Sequence, residues 1–226
     1  SKVIIDCMSH KVHPKILKIK EIKDWLSRGF YEKNFRQNLQ EDYLLRTFLG
    51  KKLAQASVES LEIERGRSTL KIIIKTARPA LVIGRGGQEV EKLKQSIDKI
   101  LYDIRPVSHS QERMAVKIEI LEVRNPWDSA PLVGQWMAGQ IEKMVPFRRV
   151  MKMAIGKLKE QKGVQGARLE VSGRLNGAEI SRTEWLLEGK MPRQNLRAII
   201  DYSLQEARCA YGTIGIKVWI YRGEKF

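Results

Sequence analysis

The sequence has few of the residues that bind metals or act as nucleophiles: its 226 residues include two cysteines and three histidines. Cys7 and Cys209 lie far apart in the chain, and neither has Cys or His neighbours at the spacing of a complete metal site. The chain also lacks a secretory signal and any apolar run of about 18 residues, which a membrane-spanning helix requires. Because isolated thiols suit a reducing compartment, the sequence predicts a cytoplasmic protein with no metal site and no cofactor.

Negative charge is scarce as well. The chain has 42 Lys and Arg against 26 Asp and Glu, a formal net charge of +16 and an isoelectric point near 9.9. An excess of this size indicates a polyanionic partner. An acidic membrane surface is the alternative polyanion, but the basic helices of this chain carry wide apolar faces suited to a protein core. The composition therefore favours nucleic acid, in a chain with room for two domains of roughly 100 residues each.

The most informative stretch, residues 79–97, reads PALVIGRGGQEVEKLKQSI. Gly84, Arg85, Gly86 and Gly87 precede a predicted helix. Its apolar residues form one stripe, made of Val90, Leu93, Ile97, Ile100, Leu101 and Ile104. A glycine-rich turn at a helix start presents backbone N–H groups and the positive end of the helix dipole to phosphate. Arg85 adds a cation at the tip of this turn.

The four residues resemble the Gly-x-x-Gly loop of K-homology domains, which clamps the backbone of about four nucleotides. They do not form a Walker loop, because no Gly-Lys-Ser/Thr follows, and the third glycine of a dinucleotide fingerprint is missing. The alternative interpretation is an ordinary turn between two helices. The surrounding pattern favours the nucleic-acid interpretation.

Periodicity on both sides of the loop predicts helical segments over residues 25–39, a helix over 42–54, and strands over 58–65, 70–75 and 116–120. The order helix, strand, strand, short helix, glycine loop, helix, strand resembles the second, prokaryotic type of K-homology domain. We assign residues 40–124 to this domain and residues 1–39 to an N-terminal arm and helical lead-in. The arm includes Lys11, His13 and Lys15, and it is predicted to bind phosphates, the alternative being a solvated tail.

Residues 125–226 are predicted to form a second domain, beginning at Asn125-Pro126-Trp127-Asp128. Two helical patterns come first, the second starting at Pro146. Period-two alternation then predicts strands over 168–172, 180–187, 199–208 and 214–220, with a hairpin turn at residues 174–177. The expected fold is α+β, with two helices packed on an antiparallel sheet of about four strands.

The helix after Pro146 has an outer face rich in cations: Arg148, Arg149, Lys152, Lys157, Lys159 and Lys162. Glu160 is the only acidic residue within 146–162. A solvated helix face, the alternative, usually mixes both signs because i, i+4 pairs stabilise it. This face therefore predicts contact with an RNA backbone, and Arg174 and Arg182 are further candidates for RNA contact.

Nearby residues have simpler explanations. Glu179 and Glu184 lie near Arg174 and Arg182 in the sequence and are predicted to form ion pairs with them. Trp185, Trp219 and Tyr221 either stack on bases or belong to the core or to a protein interface.

Several strings together resemble one family, the bacterial-type third protein of the small ribosomal subunit, over nearly all of residues 8–223. They are KVHP (11–14), TARPALVIGRGGQEVEKL (76–93), FRRVMK (147–152), VSGRLNGAEISRTEW (171–185) and YGTIGIKVWIYRGE (211–224). The string at 171–185 is especially specific, because K-homology folding alone does not require it.

The resemblance implies a structural constituent of the small ribosomal subunit, with both domains bound to ribosomal RNA in the head of that subunit. It also implies that Arg148, Arg149 and Lys152 contact messenger RNA in the channel by which it enters, and help to position and unwind it. The tenth and fourteenth small-subunit proteins are the implied neighbours. The loop around residues 108–113 looks longer than is usual in the family.

Two alternatives belong to other functional classes. A free-standing K-homology regulator would explain the glycine loop and the charge but not residues 171–224. An enzyme acting on nucleic acid is rejected, because the sequence offers scattered histidines, isolated cysteines, no carboxylate cluster with metal spacing and no nucleotide-hydrolysis motif.

Overall fold

The structure is a computed structural model that describes Pro14 and residues 25–29, 35–66, 69–104 and 115–224. The described residues form two compact units, and the chain passes from the first to the second between Pro126 and Trp127. Each unit has its own sheet and its own hydrophobic core. Both units combine helices with a sheet, so the predicted α+β fold class is confirmed.

The first unit contains, in chain order, β1 (Ser27–Gly29), α1 (Phe35–Lys52), β2 (Val58–Arg65), β3 (Thr69–Thr76), α2 (Pro79–Ile83), α3 (Gln88–Ile104) and β4 (Ala115–Glu122). Strands β2 and β3 are antiparallel, whereas β1 joins β2 and β4 joins β3 in parallel. The sheet order is β1-β2-β3-β4. From α1 onwards this is the order predicted for a type II K-homology domain.

Alternation in β2 and β3 places one apolar row against the helices. Ile63 and Ile72 are partners across the two strands, and both are fully buried. The same core contains Leu45 and Leu49 of α1, and the apolar stripe of α3 supplies Leu93 and Ile97. The stripe therefore positions α3, and with it the glycine loop, on the sheet.

The predicted helical segments over residues 25–39 are wrong in their first part, because Ser27–Gly29 forms β1 beside β2. Arg46 of α1 donates hydrogen bonds to the carbonyl oxygens of Leu61 (2.6 Å) and Leu26 (2.7 Å), and so ties β1 to β2. Helix α1 also begins earlier than the predicted residue 42. Its first turns bury Asn38, Glu41 and Asp42; because these residues are polar, no apolar stripe marks them in the sequence.

The second unit contains α4 (Ala130–Glu142), α5 (Phe147–Lys159), β5 (Gly166–Gly173), β6 (Arg182–Gly189), β7 (Ala198–Cys209) and β8 (Gly212–Glu224). All pairings are antiparallel, and the sheet order is β6-β5-β8-β7. This agrees with the predicted two helices on an antiparallel four-stranded sheet. Helix α4 packs on β7 and β8, and α5 packs on β5 and β6.

The core of the second unit lies between these helices and one face of the sheet. Alternate strand residues point into it, for example Leu169 and Val171 of β5, which are fully buried. Met137 of α4 and Val150 of α5 fill the same core. The period-two pattern of the strands and the 3.6-residue pattern of the helices therefore mark the two sides of one helix–sheet interface.

The predicted hairpin turn at residues 174–177 is only partly correct. Asn176 and Gly177 have positive φ angles, 54° and 78°, as an Asn-Gly turn requires. However, β5 ends at Gly173 and β6 begins at Arg182. The connection is longer because Leu175 is drawn into the core, where it is fully buried.

Candidate nucleic-acid interface

The glycine loop joins two helices of the first unit through one tight turn. Helix α2 ends at Ile83 and is capped by Gly84, whose N–H donates to the carbonyl oxygen of Ala80 at 2.9 Å. Residues Arg85–Gly87 form a tight turn in which Gly86 is not helical, and α3 begins at Gln88. Gly84 and Gly86 both have φ in the left-handed region, at 71° and 61°. The chain can therefore make this turn only with residues that tolerate positive φ.

The glycines serve two different purposes. A Cβ atom on Gly84 would lie 2.6 Å from Cγ of Glu89, so Gly84 allows α3 to pack closely behind the loop. A Cβ on Gly86 or Gly87 would meet nothing within 4 Å. The outer surface of the loop is thus open to an approaching sugar-phosphate backbone, and the exposed Arg85 stands beside it.

Glu89, the acidic residue nearest to the loop in the sequence, forms an ion pair. Lys92 Nζ lies 2.8 Å from Oε1 of Glu89, one turn along α3. The hydrogen bond from Lys92 lowers the pKa of Glu89, and the charge of Lys52 lowers it further. The charge of Glu89, which packs behind Gly84, is thus neutralised, whereas Glu91, the other acidic residue in the first turn of α3, is exposed.

Helix α5 divides into a buried and an exposed side, as its sequence predicts. Phe147, Val150, Met151, Ala154 and Leu158 are buried against the sheet. The cations of the outer face, Arg148, Arg149, Lys152, Lys157 and Lys159, are exposed. The apolar stripe therefore directs every one of these cations towards solvent.

The structure shows that these cations differ in their partners. Arg148 forms a two-pronged ion pair with Glu184 of β6, with Nε–Oε2 and Nη2–Oε1 distances of 3.1 Å. Arg182 joins the same carboxylate, with Nε 3.2 Å from Oε1. The hydrogen bond from Arg148 lowers the pKa of Glu184, so this carboxylate carries its charge at neutral pH. The predicted pair between Arg182 and Glu184 is confirmed. The ion pair between Arg148 and Glu184 is not predicted from the sequence.

Arg149 and Lys152 have no ion pair or hydrogen bond to another side chain within the described ranges, and both are exposed. Lys159 pairs with Glu188 of β6 at 3.0 Å. Lys157 places its ammonium group 4.7 Å from the ring centre of Trp127 and 5.1 Å from that of Trp136. Arg149 and Lys152 are therefore the cations of α5 that are most available to phosphate.

Arg174 has a local structural role. Its Nε donates to the carbonyl oxygen of Ala178 at 2.9 Å, and its Nη1 to that of Tyr211 at 3.4 Å. The predicted ion pair of Arg174 with Glu179 is not formed among the described residues. The guanidinium group instead fastens the connection between β5 and β6 to the turn between β7 and β8.

The aromatic residues proposed for base stacking fall into two groups. Trp219 and Tyr221 are 8% and 5% exposed and pack with Ile200 and Tyr202 in a small cluster that is separate from the main core, so both are buried structural residues. Trp185 is 53% exposed, and the guanidinium carbon of Arg168 lies 4.5 Å from its ring centre. These residues lie on the face of the sheet that α4 and α5 leave uncovered.

Sequence reasoning missed the match between α5 and β6. The helical rise from Arg148 to Lys159 is about 16 Å, and the strand rise from Glu184 to Glu188 is about 13 Å. Two acids on one face of β6 therefore meet two cations of α5 when helix and strand lie side by side. The spacing of the two glutamates in the sequence matches that of the two cations. The match predicts ion pairs only when it is also known that β6 packs against α5.

Some predicted features lie outside the described residues, namely Lys11, His13 and Lys15 of the arm and the loop at 108–113. Across the part of the chain that the structure describes, no group of three or more His, Cys, Asp or Glu side chains could hold a metal ion. No helix in that part is both long enough and apolar enough to cross a membrane.

Comparison with known families accounts for both units. A family model described as "KH domain" matches residues 44–128, which include the glycine loop. A model described as "Ribosomal protein S3, C-terminal domain" matches residues 137–220, which include α5 and most of the second sheet. The second match is one that a free-standing K-homology regulator does not explain.

Whole-chain relatives carry one common name. Small ribosomal subunit protein uS3 of Desulfitobacterium hafniense is 45% identical over 217 residues, which cover 96% of this chain and 94% of that protein. The protein of the same name from Ligilactobacillus salivarius is 44% identical over 217 residues, with the same coverage. That of Buchnera aphidicola is 45% identical over 218 residues, covering 96% of this chain and 88% of the relative.

Proposed function

The chain belongs to the uS3 family of small ribosomal subunit proteins, and from this premise we propose that two of its surfaces bind RNA within the subunit. It is a structural, non-enzymatic constituent of the small ribosomal subunit. The two surfaces are the glycine loop (Gly84, Arg85, Gly86 and Gly87) and the basic face (Arg148, Arg149 and Lys152).

The glycine loop binds ribosomal RNA in the head of the subunit. Gly86 and Gly87 carry no Cβ and border open space, and the N-terminal turn of α3 follows them directly. Backbone N–H groups there and the charge of Arg85 suit a sugar-phosphate backbone. Recognition of this kind reads the shape of the RNA more than its sequence.

The basic face contacts messenger RNA in the channel by which it enters the subunit. The single observation that carries this proposal is that Arg149 and Lys152 are exposed and unpaired among the described residues, on a helix face with hardly any acid. Such a face binds phosphates and releases their condensed counterions, which favours binding most strongly at low salt. Unwinding then means holding the separated strand while the ribosome moves the message, with no nucleotide hydrolysis by this protein.

The remaining candidates for RNA contact have secondary roles. Lys159 and Arg182 are paired with glutamates, Lys157 lies against two indole rings, and Arg174 binds two carbonyl oxygens. Each can add to the positive potential of the surface while it keeps its intramolecular partner. Lys11, His13 and Lys15 complete the proposed set as phosphate contacts of the arm.

The tenth and fourteenth small-subunit proteins are the proposed neighbours in the cytoplasmic ribosome. The face of the second sheet opposite α4 and α5 exposes apolar side chains that suit a protein interface, because Trp185, Leu187 and Leu204 are each at least 44% exposed there. Photocrosslinkers placed at Leu187 and Leu204 of assembled subunits test this assignment. Crosslinks to other proteins or to RNA alone would contradict it.

The basic face is tested in cells whose ribosomes carry Arg148→Ala, Arg149→Ala and Lys152→Ala together. The control replaces Lys143, Lys190 and Arg193, which are also exposed cations of the second unit but lie outside α5. Sucrose gradients first establish that both triple variants enter the small subunit. Translation is then timed on a messenger with a stable hairpin and on the same messenger with the hairpin removed.

A delay confined to the structured message, and seen only in the α5 variant, is the expected result. Equal rates on both messages would leave the basic face without a role in unwinding. Equal delays in both triple variants would assign the effect to net charge instead of to this surface.

A further inference from the structure

We infer that Glu184 competes with messenger RNA for Arg148: its carboxylate occupies the position at the guanidinium group that a messenger phosphate would take. This inference rests on the proposed messenger contact. Three observations support it: the geometry of the pair, the difference between Arg148 and its neighbours on α5, and the location of the carboxylate.

The geometry of the pair is that of a phosphate contact. Arg148 presents Nε and Nη2 to the two oxygens of Glu184, each at 3.1 Å. A guanidinium group binds a phosphate with the same two-pronged arrangement. Phosphate can therefore use these donors only after the carboxylate has left them.

The three cations of the basic face are not equivalent. Arg148 is paired, whereas Arg149 and Lys152 have no such partner among the described residues. The side chain of Arg148 is nevertheless 71% exposed, so RNA can reach it without opening the core. Arg149 and Lys152 can bind a strand directly, and Arg148 joins by exchanging one anion for another.

The location of Glu184 makes it a stable competitor. It projects from β6, its side chain is only 28% exposed, and Arg182 binds the same carboxylate at 3.2 Å. When Arg148 turns to a phosphate, Arg182 still neutralises the carboxylate. The exchange therefore leaves no isolated negative charge, and it can reverse as the strand moves on.

A competitor of this kind weakens RNA binding and shortens the life of each contact. A strand that must slide past the surface benefits, since tight binding at Arg148 would hold it in place. Glu188 differs, because its partner Lys159 offers a single hydrogen bond and both side chains are about half exposed or more. A change at Glu188 removes the same charge without the two-pronged pair, so it serves as the matched control.

The experiment measures the binding of a fluorescent oligouridylate to the purified full chain over a series of salt concentrations. Glu184→Gln should raise the affinity about two- to fivefold, the range that a surface ion pair represents, while Glu188→Gln raises it less. Because Arg148 should contact a phosphate in a larger fraction of the complexes, the salt dependence should steepen by up to about 0.7 in log–log slope. Most of the gain should disappear when Glu184→Gln is combined with Arg148→Ala.

Unchanged or lower affinity in Glu184→Gln, or equal gains in the two glutamine variants, would overturn the inference. The variant Arg149→Ala with Lys152→Ala reports separately on the proposed function. If that double variant weakens binding and Glu184→Gln does not strengthen it, only the competitor role is wrong. If the double variant has no effect, the proposed RNA contact of the basic face fails as well.

Discussion

The guanidinium group of Arg65 donates two hydrogen bonds to one carboxylate oxygen of Asp42, from Nε at 3.0 Å and from Nη2 at 2.5 Å. Its Nη1 bonds Glu41 at 2.6 Å, and the three side chains are at most 7% exposed. Burial acts to lower the pKa of Arg65, but the hydrogen bonds to Asp42 and Glu41 outweigh burial and raise it. This cluster joins the end of β2 to the first half of α1.

Replacing Arg65 should destabilise the first unit strongly. Arg65→Ala removes the guanidinium group that binds the buried carboxylates of Glu41 and Asp42, and breaking a buried ion pair in this way costs about 3–5 kcal/mol in the free energy of unfolding. Urea unfolding of the full chain, followed by circular dichroism, measures the loss. The control is Arg28→Ala on the same sheet. The Arg28 side chain is 37% exposed and its partner Glu62 keeps Lys75, so the loss should be about 1 kcal/mol. Similar losses in the two variants would contradict this account.

The cluster also explains why α1 was only partly predictable. An apolar stripe marks the second half of the helix, where Leu45 and Leu49 are fully buried, and that half was predicted. The first half buries Glu41 and Asp42, whose partner Arg65 lies in a strand well beyond the helix. A local pattern cannot reveal a polar residue that is buried because of a distant partner. Strand β1 also depends on a distant partner, because it is defined by its parallel pairing with β2, and no local pattern predicts it.

Glu62 should make the stability of the first unit depend on pH. Its side chain is 13% exposed, and hydrogen bonds from Lys75 and Arg28 lower its pKa against the effect of burial. A carboxyl with a lowered pKa stabilises the fold above its unfolded pKa, about 4.3, and this contribution is lost as the pH falls through the folded pKa. Glu62→Gln should cost about 1–2 kcal/mol at pH 7, and the difference from the parent should vanish in acid.

Urea titrations between neutral pH and pH 3 check this, with Glu119→Gln as the control. Glu119 lies on the same sheet and pairs with Lys71 at 2.9 Å, but its side chain is 50% exposed. Its replacement should cost less than about 1 kcal/mol. A loss in Glu62→Gln that stays constant down to pH 3 would show that the ionised carboxylate is not the stabilising group.

Two substitutions in the glycine loop should separate folding from binding. Gly84→Ala forces a Cβ atom to within 2.6 Å of Glu89 at a positive φ, so it should lower the melting temperature. Gly86→Asp places its side chain in open space and adds negative charge where phosphate would lie. Gly86 has φ at 61°, a conformation that Asp adopts more readily than most residues but still at a cost. We therefore expect a smaller drop in melting temperature than for Gly84→Ala, together with weaker binding to small-subunit ribosomal RNA, measured by filter retention. Unweakened binding in Gly86→Asp would argue against the loop as a phosphate site.

The sequence predicts which cations form the candidate site, but not which residues they contact within the protein. Helical spacing and charge alone place Arg148, Arg149 and Lys152 on the outer face of α5, and the structure puts them there. What spacing could not show is that Arg148 is paired and that Lys157 lies against two tryptophans. Both facts depend on which strand and which preceding helix α5 packs against, so they exist only in the tertiary structure.

Lys152 and Lys157 allow a direct test, because they are the same residue type on one helix and both are exposed. Lys157→Ala removes a cation from the rings of Trp127 and Trp136, a contact worth about 0.5–1 kcal/mol at an exposed site. Lys152→Ala removes no such contact among the described residues. We therefore expect Lys157→Ala to lower the free energy of unfolding and Lys152→Ala to leave it unchanged.

Binding to oligouridylate should show the opposite order. Lys152→Ala removes a phosphate contact and should reduce the log–log salt slope by about 0.7, whereas Lys157→Ala should reduce it less, since its ammonium group is already engaged by the indoles. Lys157→Arg should restore stability, because a guanidinium group can also bind over aromatic rings. If the two alanine variants change binding and stability in the same proportion, Lys152 and Lys157 do not have separate roles in RNA binding and in stability. RNA binding would then depend on the total positive charge of α5.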